Sequence, residues 1–319
     1  MKRRIRPVCA LACLALAAAA PPRPSFTLIE GGFEPGRQPD GNSIFLDAPR
    51  GLILVDTGRH PEHQARLLAF ARASGKPVVA IVNTHWHLDH SGGDAALRAA
   101  FPAAPLYASS AVEGALAAFF PASRAEAEAY LASGRASPQE AADIRLDLAR
   151  IASPAALRPS RPVAGRHVVD LGGRRIELRL ARFAATEGDV WLVDRRAGLV
   201  VAGDLVVAPV PFLDTACPEG WRRALDAIAE TRFRTLLPGH GAAMTRSDFL
   251  LWRRAFGRLL DCAGSLAPAA ACADGWLRDA ARFVPAGAEA RVRGLLAYYL
   301  AARLRAAPAE RARYCRPLA

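Results

Sequence analysis

At 319 residues, 52% of them apolar and 23% charged, the chain can bury a sizeable core, and its mixed composition excludes a collagenous, low-complexity or wholly disordered protein. The net charge of +12 rests almost wholly on arginines scattered along the chain without a basic–aromatic stripe, which argues against a nucleic acid as partner.

The first element is a leader. Lys2, Arg3, Arg4 and Arg6 precede an apolar run from Val8 to Ala20 that is too short for an ordinary spanning helix and ends in small residues suited to cleavage. Residues 1–20 therefore read as a secretory signal, which predicts a periplasmic or secreted protein with no stable membrane insertion after cleavage. Loss of the leader lowers the net charge to +8 and removes Cys9 and Cys13. Four cysteines remain, Cys217, Cys262, Cys272 and Cys315, and an even number in an exported chain implies two disulfides with three connectivities open. The Ala/Gly/Ser/Pro-rich stretch between Cys262 and Cys272 suits a local bridge between two helices. Cys217 with Cys315 would then tie the tail back to the rest of the chain. No C-x-x-C occurs, so a zinc ribbon is excluded.

Residues 21–246 carry strand and helix signals in alternation. Phe26–Ile29, Ser43–Leu46, Leu52–Val55 and Val78–Val82 read as strands, with helices over Pro61–Ala73 and Ala95–Ala100. From Ser110 to about Ala152 the chain is Ala-rich with helical spacing. A second strand series follows at Val168–Leu171, Arg175–Leu180, Val190–Asp194 and Leu199–Val201, with Gly172-Gly173 as a hairpin turn. Residues 247–319 then read as a helical extension, with helices over Asp248–Asp261, Gly275–Phe283 and Ala288–Arg305 and Ser247 as the first N-cap. The whole is α/β.

Chemistry is concentrated in Asn83-Thr84-His85-Trp86-His87-Leu88-Asp89-His90-Ser91-Gly92-Gly93. Three of the chain's seven histidines and one carboxylate fall within six residues, just past the carboxyl end of the predicted strand Val78–Val82. Imidazole and carboxylate are the donors that Zn²⁺ prefers.

This H-x-H-x-D-H run resembles the signature of the metallo-β-lactamase-fold superfamily. Further short segments match in the right order: Val55-Asp56-Thr57-Gly58, Gly203-Asp204-Leu205 and Pro238-Gly239-His240-Gly241. The resemblance spans roughly residues 25 to 250 and implies an αββα sandwich, here with a helical insertion at about 110–152 that is either a lid over the site or plain helical packing. It also implies His85, His87, Asp89, His90, Asp204 and His240 as metal ligands, with Asp56 behind them orienting an imidazole. One element is missing. Where the family has H-T-x-G-D this chain reads Ala185-Thr186-Glu187-Gly188-Asp189, so a methyl group stands in place of a ligand.

Sorted by the family's geometry, Asp89, His90, His240 and Asp204 form one full set, and His85 and His87 share Asp204 in a poorer one, for which Glu187 is the candidate substitute ligand. The expectation is one tightly held Zn²⁺ and a second that is weak or absent. The function implied is an exported zinc-dependent hydrolase that uses metal-bound hydroxide on an ester, thioester, amide or lactam bond of a small-molecule substrate, with Asp89 handling the proton. The alternative is a metal-binding accessory or sensor protein of the same fold with little turnover. Trp86, Trp191 and the loop Pro209–Thr215 are candidates for lining the cleft. Substrate and oligomeric state are not determined by the sequence.

Overall fold

The computed structural model describes residues 25–34 and 36–316; the leader predicted over residues 1–20 lies outside them. Two six-stranded mixed sheets face each other. The first is ordered β1-β2-β3-β4-β5-β6, from β1 (Phe26–Ile29), β2 (Ser43–Ala48), β3 (Gly51–Val55), β4 (Val78–Val82), β5 (Leu106–Ser109) and β6 (Arg161–Val163). The second is ordered β12-β11-β10-β9-β8-β7, from β7 (His167–Leu171), β8 (Arg174–Arg182), β9 (Gly188–Asp194), β10 (Leu199–Val207), β11 (Thr235–His240) and β12 (Met244–Thr245).

Alternation along the strands builds the layers. Ile44, Ile53, Val55 and Val82 of the first sheet meet Ile176, Leu178, Leu192 and Val201 of the second in the central core. The intervening residues point outward and are covered by helices. Leu67 and Ala71 of Pro61–Ser74 and Leu97 of Asp94–Ala100 pack on Phe45, Leu54 and Ile81. Trp221 and Leu225 of Pro218–Glu230 and Phe249, Trp252 and Phe256 of Arg246–Ala263 pack on Val193 and Val200. Each such fully buried side chain contributes about 1.5–3 kcal/mol. The result is an αββα sandwich.

Several local expectations shift. Strands β5, β6, β11 and β12 were not anticipated: the first two are short, and Pro238-Gly239 interrupts the apolar pattern of β11. The helix at 246–263 is capped by Thr245 rather than Ser247. Thr245 Oγ1 accepts from the Asp248 amide while the Asp248 carboxylate accepts from the Thr245 amide, a reciprocal pair that Ser247 cannot form. The next helix runs Ala269–Asp279, and Ala281–Phe283 is only a 3₁₀ turn.

The insertion is helical over Val112–Ala132, with one π-helical turn at Ala115–Phe119, and over Pro138–Ile151, which opens on a Ser137/Glu140 capping box. Charged pairs dock it to the loops beside β3. Arg37 Nε lies 2.9 Å from Asp143, Arg59 Nη1 lies 3.7 Å from Asp147, and Arg150 donates to the Arg59 carbonyl. His60 and His63 are both buried and structural. His60 Nδ1 is 2.7 Å from Asp40 and its Nε2 3.4 Å from Asp143, while His63 Nε2 is 2.9 Å from Ser43 Oγ. His167 lies exposed in β7.

The extension wraps the second sheet and is tied down covalently. Cys262–Cys272 links two of its consecutive helices, and Cys217–Cys315 joins its end to the start of Pro218–Glu230, 98 residues earlier. Three indoles also reach β10 and its continuation. Trp221, Trp252 and Trp276 donate to the carbonyls of Leu205, Val207 and Pro209 at 2.9, 2.9 and 3.0 Å. Among the described residues no helix is long and apolar enough to cross a membrane.

Candidate metal centre

The carboxyl ends of β3, β4, β10 and β11 converge on one point. Asp56 follows β3, the histidine run follows β4, Asp204 lies within β10, and His240 closes β11. The two sheets are joined there by Asn42, whose side chain donates to the carbonyls of Pro238 at 3.0 Å and Gly241 at 2.8 Å. Two glycines make the convergence fit. A Cβ on Gly239 would sit 2.0 Å from Asp204 Oδ1, and one on Gly203, whose φ is +53°, would sit 2.5 Å from Thr84 Cβ.

Donor atoms of Asp89, His90, Asp204 and His240 all lie within 4.8 Å of one another and are buried. His240 Nε2 is 3.1 Å from Asp89 Oδ2 and 3.6 Å from Asp204 Oδ1; His90 Nε2 is 3.1 Å from Asp204 Oδ1 and 3.3 Å from His240 Nε2. A second cluster of the same span joins His85, His87 and Asp204, with His85 Nε2 3.7 Å from Asp204 Oδ2. Asp204 belongs to both. Glu187, half-buried, is outside both clusters. Its main-chain carbonyl accepts from the Phe183 amide.

Hydrogen bonds behind the donors set their tautomers. Asp56 is held at φ +59°, in the left-handed region where non-glycine residues are rare, and its carboxylate accepts from the Thr84 amide at 2.7 Å, from Thr84 Oγ1 at 2.8 Å and from His90 Nδ1 at 2.8 Å. Because Thr84 Oγ1 donates its one proton to Asp56, it can only accept from His85 Nδ1, 3.1 Å away. In their neutral forms His90 and His85 thus both turn an unprotonated Nε2 to the centre. With no cation there, burial disfavours the charged His90 ring, but the carboxylates of Asp204, Asp89 and Asp56 outweigh it and raise its pKa well above the usual value, so a metal ion would take the place of that proton. The same reasoning applies to His87. Thr215 Oγ1 donates to the Ala185 carbonyl at 3.0 Å, so it accepts from His87 Nε2 at 2.9 Å and leaves Nδ1 as the lone-pair donor. Nothing in the sequence singled out Thr215 for this role; it stood only among cleft-lining candidates.

The electrostatics favour a cation. Burial disfavours ionisation of Asp204, yet the surrounding imidazoles of His90, His240 and His85 outweigh it and hold the carboxyl below its usual range. Burial pushes Asp56 up and His85 well down. His85 Nε2 and Asp204 Oδ1 are buried and make no aligned hydrogen bond among the described residues. Convergent carboxylates with orphaned imidazole and carboxylate atoms fit a divalent ion of the zinc type.

The centre opens on a cavity of about 300 Å³ bounded by His87, Asp89, Trp86 and Phe212 and roofed by the insertion through Phe119, Phe120, Leu148 and Ile151. The insertion therefore lies over the site. Trp191 does not: it is buried on the far side of the second sheet, under the Arg179 guanidinium.

Residues 36–240 match the family model described as the metallo-beta-lactamase superfamily. A linear primary-alkylsulfatase from Pseudomonas sp. is 49% identical over 49 residues, which are 15% of this chain; the chain spans only 9% of that relative's length. Among solved structures, the mono-zinc form of the metallo-beta-lactamase FIM-1 from Pseudomonas aeruginosa is 16% identical with a TM-score of 0.52, covering 73% of this chain and 91% of that one. The metallo-beta-lactamase DIM-1, exposed to ceftazidime, is 15% identical with a TM-score of 0.50, covering 74% and 94%. The fold is theirs. The chain belongs to the metallo-beta-lactamase superfamily, as a metal-dependent hydrolase.

Proposed function

We propose that the protein is an exported zinc-dependent hydrolase that cleaves an ester, thioester, amide or lactam bond in a small molecule. The observation that carries this is the buried four-donor cluster of Asp89, His90, Asp204 and His240, which meets the cavity at Asp89. A bound zinc ion there supplies Lewis acidity and lowers the pKa of a water to about 7. The chain's own groups do the rest. Asp89, whose Oδ2 lies 3.1 Å from His240 Nε2, would orient that water and carry its proton. Asp56 and Thr84 hold the imidazoles, and the insertion with Phe212 limits bulk water at the site.

The donor sets are unequal, so one Zn²⁺ is held tightly by the four-donor cluster. A second at His85, His87 and Asp204 is weak or absent, because Ala185 supplies no imidazole. Loss of one ligand should cost at least the roughly 10–100-fold typical of disturbing a ligand's supporting partner. Two disulfides support an oxidising, periplasmic or secreted setting. The test is elemental analysis after dialysis, combined with hydrolysis of chromogenic ester, thioester, lactam and alkyl-sulfate substrates with and without added Zn²⁺. Zinc-dependent turnover supports the reading. One tight metal with no turnover on any of them would favour a metal-binding accessory or sensor protein, the reading that the missing imidazole at Ala185 suggests.

A further inference from the structure

The cavity under the insertion is lined by two side chains that carry unanswered donors. Arg59 lines it beside Asp89, and its side chain is only 12% exposed; Nε and Nη1 are buried without a hydrogen-bond partner among the described residues. Trp86 lines the same cavity, and its indole Nε1 is also buried with no acceptor. Most buried donors in folded proteins are paired, and an unpaired one costs about 1–3 kcal/mol, more if charged, so three on two side chains of one cavity beside the candidate metal centre point to an acceptor that arrives with a ligand. The acidic group nearest the guanidinium does not remove the need. Asp147 stands 3.7 Å from Arg59 Nη1, beyond hydrogen-bond reach, and is already bonded by Arg150 Nη1 at 2.9 Å. Asp214, also on the cavity wall, accepts from Tyr299 at 2.7 Å. The rest of the wall is mostly aromatic and aliphatic, including Phe119, Phe120, Leu148 and Ile151.

We infer that this cavity takes an amphiphilic anion: a substrate with an apolar chain or ring seated against the insertion and a carboxylate- or sulfate-like group on Arg59 and the Trp86 indole, next to the scissile bond. This names the substrate class of the hydrolase proposed above and rests on that reading. An oxyanion supplies several acceptor lone pairs and a charge, matching the guanidinium fork and the indole N–H together, whereas a neutral alcohol offers two lone pairs on one atom and no charge to set against the guanidinium. Arg59 is in this sense a specificity-determining residue, acting on the substrate rather than on the metal donors.

The experiment measures binding rather than turnover. The zinc-loaded full chain is titrated with octanoate and, separately, with 1-octanol, followed by tryptophan fluorescence and calorimetry. The expected result is octanoate binding about tenfold or more tighter than 1-octanol, with that preference lost in Arg59→Met, largely kept in Arg59→Lys, and weakened in Trp86→Phe. Equal affinity for the two probes overturns the inference without reference to any variant's folding. An undiminished octanoate preference in folded Arg59→Met also overturns it, because the metal alone would then hold the carboxylate. Arg59-dependent octanoate binding without turnover on any substrate would sink the hydrolase reading and leave this one standing; turnover without the preference would do the reverse.

Discussion

Thr215 Oγ1 accepts a hydrogen bond from His87 Nε2 while donating to the carbonyl of Ala185, the residue standing where the family places an imidazole. One hydroxyl therefore both fixes the His87 tautomer and steadies the backbone at the deficient corner of the centre. Thr215→Val removes the acceptor and leaves His87 Nε2–H buried without a partner. We expect the weaker metal equivalent to lose a further roughly 10–100-fold in affinity while the tighter one is unaffected. Competitive chelator titration resolves the two; equal losses at both would contradict the division of donors.

Asp89→Asn keeps size and removes charge. With Asp89 Oδ2 3.1 Å from His240 Nε2 at the centre, the change should lower kcat by roughly 10²–10⁴-fold, the scale of a lost general base. Metal content measured on the same sample separates lost proton handling from lost ligation.

Acid should weaken the packing of the helix Pro61–Ser74. Burial lowers the His63 pKa from 6.5 to about 4, so the folded chain keeps this ring neutral where the unfolded chain protonates it. Its contribution is complete above pH 6.5, shrinks as the pH falls towards 4, and amounts to on the order of 3 kcal/mol at 1.36 kcal/mol per unit. His63→Gln, which retains a polar partner for Ser43 Oγ, should flatten the drop in Tm between pH 6.5 and 4; an unchanged slope would refute the assignment.

The two disulfides should differ in weight. Cys217–Cys315 closes a loop of 98 residues and Cys262–Cys272 one of 10. In the chain-entropy model a loop near 100 residues contributes about 4.7 kcal/mol and one of 15 about 3. Cys217→Ser/Cys315→Ser should therefore lower the denaturation midpoint more than Cys262→Ser/Cys272→Ser. The reverse order in parallel urea titrations would mean that local helix geometry, not chain constraint, dominates.

Much of the fold was legible because its strands carry their own pattern: Val78–Val82 is a continuous apolar run as expected of a strand covered on both faces, and β4 has those bounds. The grouping of the candidate metal donors was legible because a family resemblance supplied the three-dimensional pairing that spacing alone cannot. What escaped depended on long-range contacts. β11 is interrupted by Pro238 and Gly239, which look like a turn until Asp204 is seen pressing on Gly239. Thr215 is an unremarkable loop threonine until it meets His87 across 128 residues. Trp191 and Trp86 are alike in sequence, and only the direction each strand end faces decides that one lines the cavity and the other is core.

The three indoles that grip the carbonyls of Leu205, Val207 and Pro209 come from successive helices, two of them beyond the stretch that matches the family model. They hold the back of the strand whose front presents Asp204. A chain shortened before residue 246 would strip two of those carbonyls of their donors inside an apolar layer, and the loosened strand would carry its aspartate out of alignment. The tail is thus a brace for the reaction centre, so trimming it for convenience in crystallisation or expression would remove part of the active site's foundation.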